Sequence, residues 1–255
     1  MKKILFMCAA LLSAALLSAQ VITDWKDVEK GMVKMDSKGK EILATEVTQG
    51  LYKSVMGELP FVISDKVLDI YPYEDDIPVV DASWFDAIYF CNKLSKMCGL
   101  EPVYRVKGMK DVEDWWPYEP HKEYSIEARI TMSPNANGYR LPTVKEWRSM
   151  LGDTDLDIDK VAWYRDNFGG RWHPAAQKEK NCYGLYDMIG SLREWCWDTK
   201  DGDLAKRQIC GTGYGDYEAS CRNKDFCCYA RPGIQDFSIG FRIVREVNPD
   251  PLSKF

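Results

Sequence analysis

The chain has 255 residues, a net charge of −5 and two histidines. This length is typical of one large or two small domains, and an aromatic content of 13% is enough to build a substantial core. The acidic balance and the lack of a basic cluster argue against nucleic acid as a partner. Two histidines are too few for a multi-histidine metal centre.

The first residues predict an export signal over residues 1–19. Two lysines precede an apolar run over residues 4–17, and small residues ending at Ala19 form a cleavage pattern. The run is shorter than the roughly 20 residues that a membrane-spanning helix needs. We therefore expect a protein with no transmembrane segment that is periplasmic, secreted or on the cell surface. Cys8 leaves a lipid anchor open as an alternative to cleavage after Ala19.

Nine cysteines occur in the chain, and the eight others remain once Cys8 leaves with the signal. Export permits disulfides, but a chain of this length does not require them, and their pairing does not follow from the sequence. No CxxC pair occurs, so a zinc ribbon or a thioredoxin-like site has no support. Cys91 and Cys98 fall on opposite sides of a predicted helix, and we expect them to be unpaired, buried residues.

Two helices are predicted in the first half of the chain. A β-rich segment over residues 42–47 precedes Thr48, which is suited to cap a helix that Gly57 ends. Apolar residues then recur at helical spacing after Asp81 and Ser83, either of which is a plausible cap for the second helix. These helices supply the apolar faces of the predicted core.

The middle of the chain changes character twice. Residues 112–133 are polar and aromatic and predict an irregular insertion. A helix is predicted after Thr143, with Glu146 placed for a capping interaction. From Trp163 onward helix signals vanish, and short strands and glycine-rich turns are expected. No repeat or linker divides the chain, so we predict a single domain over residues 20–255.

Five segments, in order, resemble the formylglycine-generating enzyme (sulfatase-modifying factor) family. They are EVTQGLYKSVMG, PVVDASWFDAIYFCNKLS, GYRLPTVKEW, NCYGLYDMIGSLREWCWD and GFRIV. The resemblance implies an α+β fold of the C-type lectin type, irregular, with two or more helices packed on short antiparallel strands. Because fold does not fix function, the chemistry has to be tested residue by residue.

The resemblance implies a copper(I) oxidase only if the family's cysteine pair is present. The second cysteine of that pair corresponds to Cys221, but the first corresponds to Asp216, and a carboxylate is a poor ligand for a soft copper(I) ion. Cys227 or Cys228 would have to rescue the pair, yet adjacent residues on a strand point to opposite faces. An oxidase acting on a peptide cysteine is therefore the alternative function, not the leading one.

The sequence gives no support for an iron site and only incomplete support for a calcium site. Iron-dependent members of the fold take three histidines from a preceding domain, and this chain has neither. The family's calcium motif keeps Glu194 but carries Ser191 in place of an asparagine, and calcium requires several oxygen ligands. Calcium near Glu194 stays open, and we predict no cofactor.

The region over residues 211–242 also resembles the variable region of receptor proteins diversified by retroelements. The matching frame consists of Gly211, Gly213, Cys221, Arg222, Pro232, Ile239, Gly240, Phe241 and Arg242. In that family, asparagine codons between the frame positions are randomised at adenines, which excludes Trp, Met, Lys, Gln and Glu. Three runs in this chain, residues 215–217, 225–230 and 236–238, contain none of these five residue types. The ligand-binding residues implied are Tyr214, Gly215, Asp216, Tyr217, Asp225, Phe226, Cys227, Cys228, Tyr229, Ala230, Asp236, Phe237 and Ser238.

Together these patterns favour a non-catalytic, receptor-like or adhesion-like protein with a diversified C-terminal surface. Its partner would be an unknown protein or surface ligand. A scaffold protein of an envelope assembly is a further alternative. We expect Cys227 and Cys228 to have no structural partner. Eight of the variable positions are expected to gather on one solvent-facing patch: Gly215, Asp216, Tyr217, Phe226, Cys227, Tyr229, Asp236 and Phe237. Tyr and Phe suit such a surface, although any one of these aromatics would also fit a β-rich core. Ile239 and Phe241 are assigned to the core.

Overall fold

A computed structural model describes residues 20–37, 39–61, 71–115, 130–153 and 156–247 of the chain. The predicted signal over residues 1–19 and most of the predicted insertion, residues 116–129, lie outside these ranges, so both stay predictions. Across the described ranges, no helix combines the length and the apolar character needed to cross a membrane.

The helices begin where the sequence places a capping side chain. The described α-helices are α1 (Gln49–Met56), α2 (Trp84–Met97), α3 (Val144–Ser149), α4 (Ile158–Val161) and α5 (Glu218–Cys221). Thr48 caps α1 as predicted, Ser83 rather than Asp81 caps α2, and Thr143 forms the predicted capping box with Glu146 at α3. The short helix α5 was not predicted, because its four residues are too few to show helical periodicity.

Ten strands form three sheets in the described part of the chain. Their bounds are β1 (Met32–Lys34), β2 (Lys40–Leu43), β3 (Tyr104–Val106), β4 (Ile130–Met132), β5 (Tyr139–Arg140), β6 (Arg193–Lys200), β7 (Asp203–Cys210), β8 (Cys227–Ala230), β9 (Ile239–Gly240) and β10 (Val244–Glu246). The sheets have the orders β1-β2-β10-β5, β3-β4 and β8-β7-β6-β9. All neighbours are antiparallel except β6 and β9, which are parallel. The predicted α+β class is confirmed.

An aromatic core joins α1, α2 and the C-terminal strands. The rings of Tyr52 and Phe90 are stacked with centroids 5.6 Å apart, and the ring of Phe90 meets that of Phe241 edge-on at 5.3 Å. Phe241 and Ile239 are buried, as expected. Cys91 is buried and unpaired, whereas Cys98 is unpaired but only half-buried.

A buried ion pair lies beside this core, between β6 and the segment that follows β9. Arg242 donates from Nε and Nη2 to the two carboxylate oxygens of Glu194, both at 2.7 Å, and both side chains are fully buried. The indole Nε1 of Trp147 donates to the same carboxylate at 2.8 Å. Both Glu194 oxygens are therefore occupied by donors from the protein, which does not fit a calcium ligand.

The C-terminal region leaves one sheet after Cys210 and rejoins it at Gly240, and both residues are level with the same residue of the central strand β6. Glu194 on β6 lies opposite Cys210 on β7 and also opposite Gly240 on β9. Residues 211–239 therefore begin and end on either side of the same residue of the central strand. Strand β8 lies within this stretch, at the outer edge of the sheet.

Candidate ligand-binding surface

The turn that opens the C-terminal region is fixed by close packing and by one carboxylate. Gly211 has a φ of 82°, and a Cβ there would lie 3.0 Å from the ring of Trp147. Asp216 accepts a hydrogen bond from the amide of Gly213 at 2.8 Å, which closes the turn. The sequence therefore needs glycine at 211 and a short acceptor at 216 to form this loop.

Arg193 contacts two of the predicted variable positions, Asp216 and Phe226. Its Nη2 donates to both oxygens of Asp216 at 2.6 and 2.8 Å, and its guanidinium lies 5.9 Å from the ring centroid of Phe226. The ion pair with Asp216 is largely shielded from solvent. Asp216 is thus a supporting residue as well as a predicted variable one, and replacing it would remove the anchor of the turn. Sequence reasoning missed Arg193 because its partner is 23 residues away.

Two of the predicted aromatic positions pack onto the core. The ring centroid of Tyr214 is 4.5 Å from the centroids of Phe168 and Trp172. The ring of Phe237 lies 6.0 Å from those of Phe61 and Tyr71. Tyr214 and Phe237 are half-buried, so they attach the loops to the domain and present only part of each ring to solvent.

Strand β8 corrects the expectation that the adjacent cysteines have no structural partner. In the register of β7 and β8, Cys210 lies directly opposite Cys227, and the two form a disulfide. Cys228 lies opposite Ile209 and points to the other face of the strand, where it packs against the main core. The prediction is wrong for Cys227, because its partner is set by strand pairing rather than by a sequence pattern.

Two other predicted aromatics are well exposed and lie beside cations. Tyr217 is 59% exposed, and the guanidinium of Arg165 lies 4.5 Å from its ring centroid. Tyr229 is 45% exposed, with Nζ of Lys200 at 3.8 Å from its ring centroid. The pKa of Tyr229 is lowered mainly by a hydrogen bond with Lys200 and, to a smaller extent, by the positive charge of Lys200. Both rings are accessible to a partner.

None of the thirteen predicted positions is buried. Gly215, Tyr217, Asp225 and Tyr229 are exposed, and the other nine are half-buried. The two strand positions expected on the patch, Cys227 and Tyr229, share one face of β8, whereas Cys228 and Ala230 occupy the other. The last predicted run is internally braced, since Asp236 accepts from the amide and the hydroxyl of Ser238 at 2.7 and 2.6 Å.

The cysteines of this region do not fit the family's copper site. Cys227 is in a disulfide, and Cys228 lies on the opposite face of the strand. Cys221 is 3% exposed, with its sulfur 3.5 Å from Oγ1 of Thr212, and burial raises the pKa of its thiol. A raised pKa disfavours the thiolate, which is the form that binds metal and attacks sulfur.

Helices on a twisted, largely antiparallel framework, with long C-terminal loops inserted between β7 and β9, define an α+β domain of the C-type lectin type. The family model described as a sulfatase-modifying factor enzyme 1-like domain matches residues 19–247. The chain belongs to this family. A relative in Paenibacillus barcinonensis, named chaperone protein LppX, is 32% identical over 180 residues. That match spans 60% of this chain and 60% of the relative.

Several solved structures have a similar fold. Treponema denticola variable protein 1 has a TM-score of 0.69 and 27% identity, covering 85% of this chain and 91% of that chain. CarF has a TM-score of 0.61 and 27% identity, covering 82% and 86%. PvdO from Pseudomonas aeruginosa has a TM-score of 0.55 and 17% identity, covering 82% and 80%, a level that shows the fold alone.

Proposed function

We propose that this protein is a non-catalytic ligand-binding protein that uses its C-terminal region, residues 211–242, as a diversified recognition surface. The observation that carries the proposal is the contrast within that region. Every predicted variable position is exposed or half-buried, whereas seven of the nine matching frame positions are buried, the exceptions being Arg222, which is exposed, and Pro232, which is half-buried. The similarity to Treponema denticola variable protein 1 supports the same assignment.

The exposed tyrosines support a contact role. Tyr217 and Tyr229 present large rings beside arginine and lysine side chains, and tyrosine supplies contact area at a low cost in side-chain entropy. Aromatic and arginine side chains also dominate the energetics of protein interfaces. A protein or another surface ligand is the partner that this composition fits.

The oxidase alternative is less well supported. An oxidase would need two accessible thiols that converge, but the region offers one buried thiol at Cys221 and one half-buried thiol at Cys228. The Cys210–Cys227 disulfide favours an oxidising compartment. We therefore place the mature protein outside the cytoplasm, after loss of residues 1–19 or held by a lipid on Cys8.

The test compares two sets of variants by thermal unfolding. Tyr217→Ser and Tyr229→Ser change exposed variable positions, and each is expected to shift stability by about 0.5 kcal/mol or less. Trp195→Ala and Phe241→Ala truncate fully buried core residues, and each is expected to cost about 3–5 kcal/mol. Equal destabilisation of the two sets would contradict the proposal, because the tyrosines would then be structural residues that support the fold.

Diversification itself is tested in the flanking DNA. The proposal expects a near-copy of the 3′ end of this gene, differing mainly at adenines, beside a reverse-transcriptase gene. The codons of residues 215–217, 225–230 and 236–238 should carry the differences, and the codons of frame residues should not. A natural population in which all these codons are invariant, with no such copy nearby, would refute diversification while leaving ligand binding open to the variant test.

A further inference from the structure

Arg207 on β7 is buried against two indole rings. Its side chain is close to fully buried, with 6% of the residue exposed. Its guanidinium carbon lies 3.8 Å from the ring centroid of Trp84 and 5.0 Å from that of Trp197. These rings are fixed, since Trp84 Nε1 donates to the carbonyl of Cys196 at 3.0 Å. The guanidinium is therefore stacked on a rigid aromatic platform.

The donors of this guanidinium are mostly unused. Nη1 donates to the carbonyl of Trp197 at 2.9 Å, whereas the buried Nε has no acceptor. Among the described residues Nη2 also has no acceptor and no carboxylate forms an ion pair with Arg207, although the negative charge of Asp198 acts on it from a longer distance. Burial is the main cause that lowers the pKa of Arg207, to about 10, so the side chain is still charged at neutral pH.

The other buried arginines of the described chain show what is missing. Arg242 uses Nε and Nη2 to hold Glu194, and Arg140 holds Glu146 at 2.7 Å. A buried charge without a partner is costly. Arg207 alone among the three offers the side-on pair of donors, Nε and Nη2, with nothing bound to it. That pair matches the two oxygens of a carboxylate or a phosphate.

The residue opposite Arg207 supplies no counter-charge for the fork that Nε and Nη2 form. In the pairing of β7 with β8, Ala230 faces Arg207, and both side chains lie on the same face of the sheet. A methyl group neither neutralises nor screens a guanidinium. Ala230 is also one of the predicted variable positions, so the unpaired, buried arginine borders the surface proposed to bind ligand.

We propose that Arg207, with Trp84 and Trp197, forms a binding site for an oxyanion group, either the carboxylate or the phosphate of a ligand. The guanidinium fork binds two oxygens side-on, and the indoles hold it in place. All three residues lie outside residues 211–242, so the site does not depend on diversification of the C-terminal region. It would give differently varied surfaces one constant anchor for an acidic group.

The experiment follows the arginine Nε–Hε signals by nuclear magnetic resonance. Acetate and inorganic phosphate are titrated separately into the ¹⁵N-labelled protein against chloride, at a constant ionic strength of about 0.15 M. The Arg207 signal is identified by its loss in Arg207→Lys. We expect it to shift and saturate with at least one oxyanion but not with chloride, and Arg207→Lys to bind about tenfold more weakly or worse.

A matched control is Arg222→Lys, because Arg222 already donates to Glu218 from Nε and Nη2. This variant should leave oxyanion binding unchanged. Saturation by acetate alone indicates a carboxylate ligand, and saturation by phosphate alone indicates a phosphorylated one. If neither oxyanion shifts the Arg207 signal beyond the chloride control, or if Arg222→Lys weakens binding equally, the proposal is overturned.

A second variant keeps the test valid if Arg207→Lys does not fold. Ala230→Glu leaves Arg207 intact and places a carboxylate opposite its fork. We expect this glutamate to occupy the fork, shift the Arg207 signal in the absence of added anion and block acetate and phosphate. Unchanged signals in Ala230→Glu, with oxyanion binding retained, would show that the fork is not the binding site. None of these outcomes depends on whether Tyr217 and Tyr229 belong to a variable surface.

Discussion

Removal of the disulfide between β7 and β8 should cost the domain a substantial part of its stability. Cys210 and Cys227 are separated by 17 residues, and the chain entropy of closing a loop of that size in the unfolded state corresponds to about 3 kcal/mol. The strands remain paired through their backbones in the folded state. We therefore expect Cys210→Ala/Cys227→Ala to fold but to lose about 3 kcal/mol of unfolding free energy.

Equilibrium unfolding in guanidinium chloride, with and without a thiol reductant, measures this loss. Reductant should lower the wild-type protein to the level of the double variant and leave the double variant unchanged. Cys182→Ala, which removes an exposed unpaired thiol, should behave like the wild type in both conditions. A loss below about 1 kcal/mol, or a double variant that still responds to reductant, would refute the reasoning.

Glu194→Gln should cost about 3–5 kcal/mol in the same assay, because it leaves the charge of Arg242 buried without a partner. Glu218→Gln, in an exposed pair, should cost less than about 1 kcal/mol, and similar losses for the two would contradict the burial argument. Burial and neighbouring aspartates raise the pKa of Asp81 to about 6, so the folded state favours the protonated carboxyl and wild-type stability falls as pH rises from about 4 to 6. Asp81→Asn should therefore gain stability over the wild type through that range and keep the gain above it, as urea unfolding at stepped pH will show; a gain confined to acidic pH would be the wrong sign. The purified protein should hold no stoichiometric copper by elemental analysis, and tight copper(I) binding that Cys221→Ala abolishes would reinstate the oxidase.

Local features of the fold were predictable from the sequence. The caps at Thr48, Ser83 and Thr143 depend on residues within four positions of each other, so the sequence contains the whole interaction. The resemblance to the sulfatase-modifying family, which rests on five ordered segments, predicted the α+β class. Periodicity did not predict α5, whose four residues make barely one turn.

Pairing across the sheet was not predictable in the same way. The Cys210–Cys227 disulfide depends on the register of β7 against β8, and one residue of slippage would have presented Cys228 instead. The ion pair of Arg193 with Asp216 and the missing partner of Arg207 are likewise properties of three-dimensional neighbours. The sequence indicated positions that lie outside the buried core, but it did not indicate which of them support the loops.

The pairing of Glu194 with both Cys210 and Gly240 determines how much the length of the C-terminal region can vary. Because the chain departs from Cys210 and returns at Gly240, both level with the same residue of β6, its two ends are about two strand spacings apart, roughly 10 Å. Closing a flexible loop between fixed ends costs only about 0.6 kcal/mol more for each doubling of its length. Insertions and deletions within residues 211–239, outside α5 and β8, should therefore be nearly as acceptable to the domain as substitutions. Related chains are expected to vary in length there, while Glu194 stays paired with Gly240 and Arg242 stays two residues after Gly240.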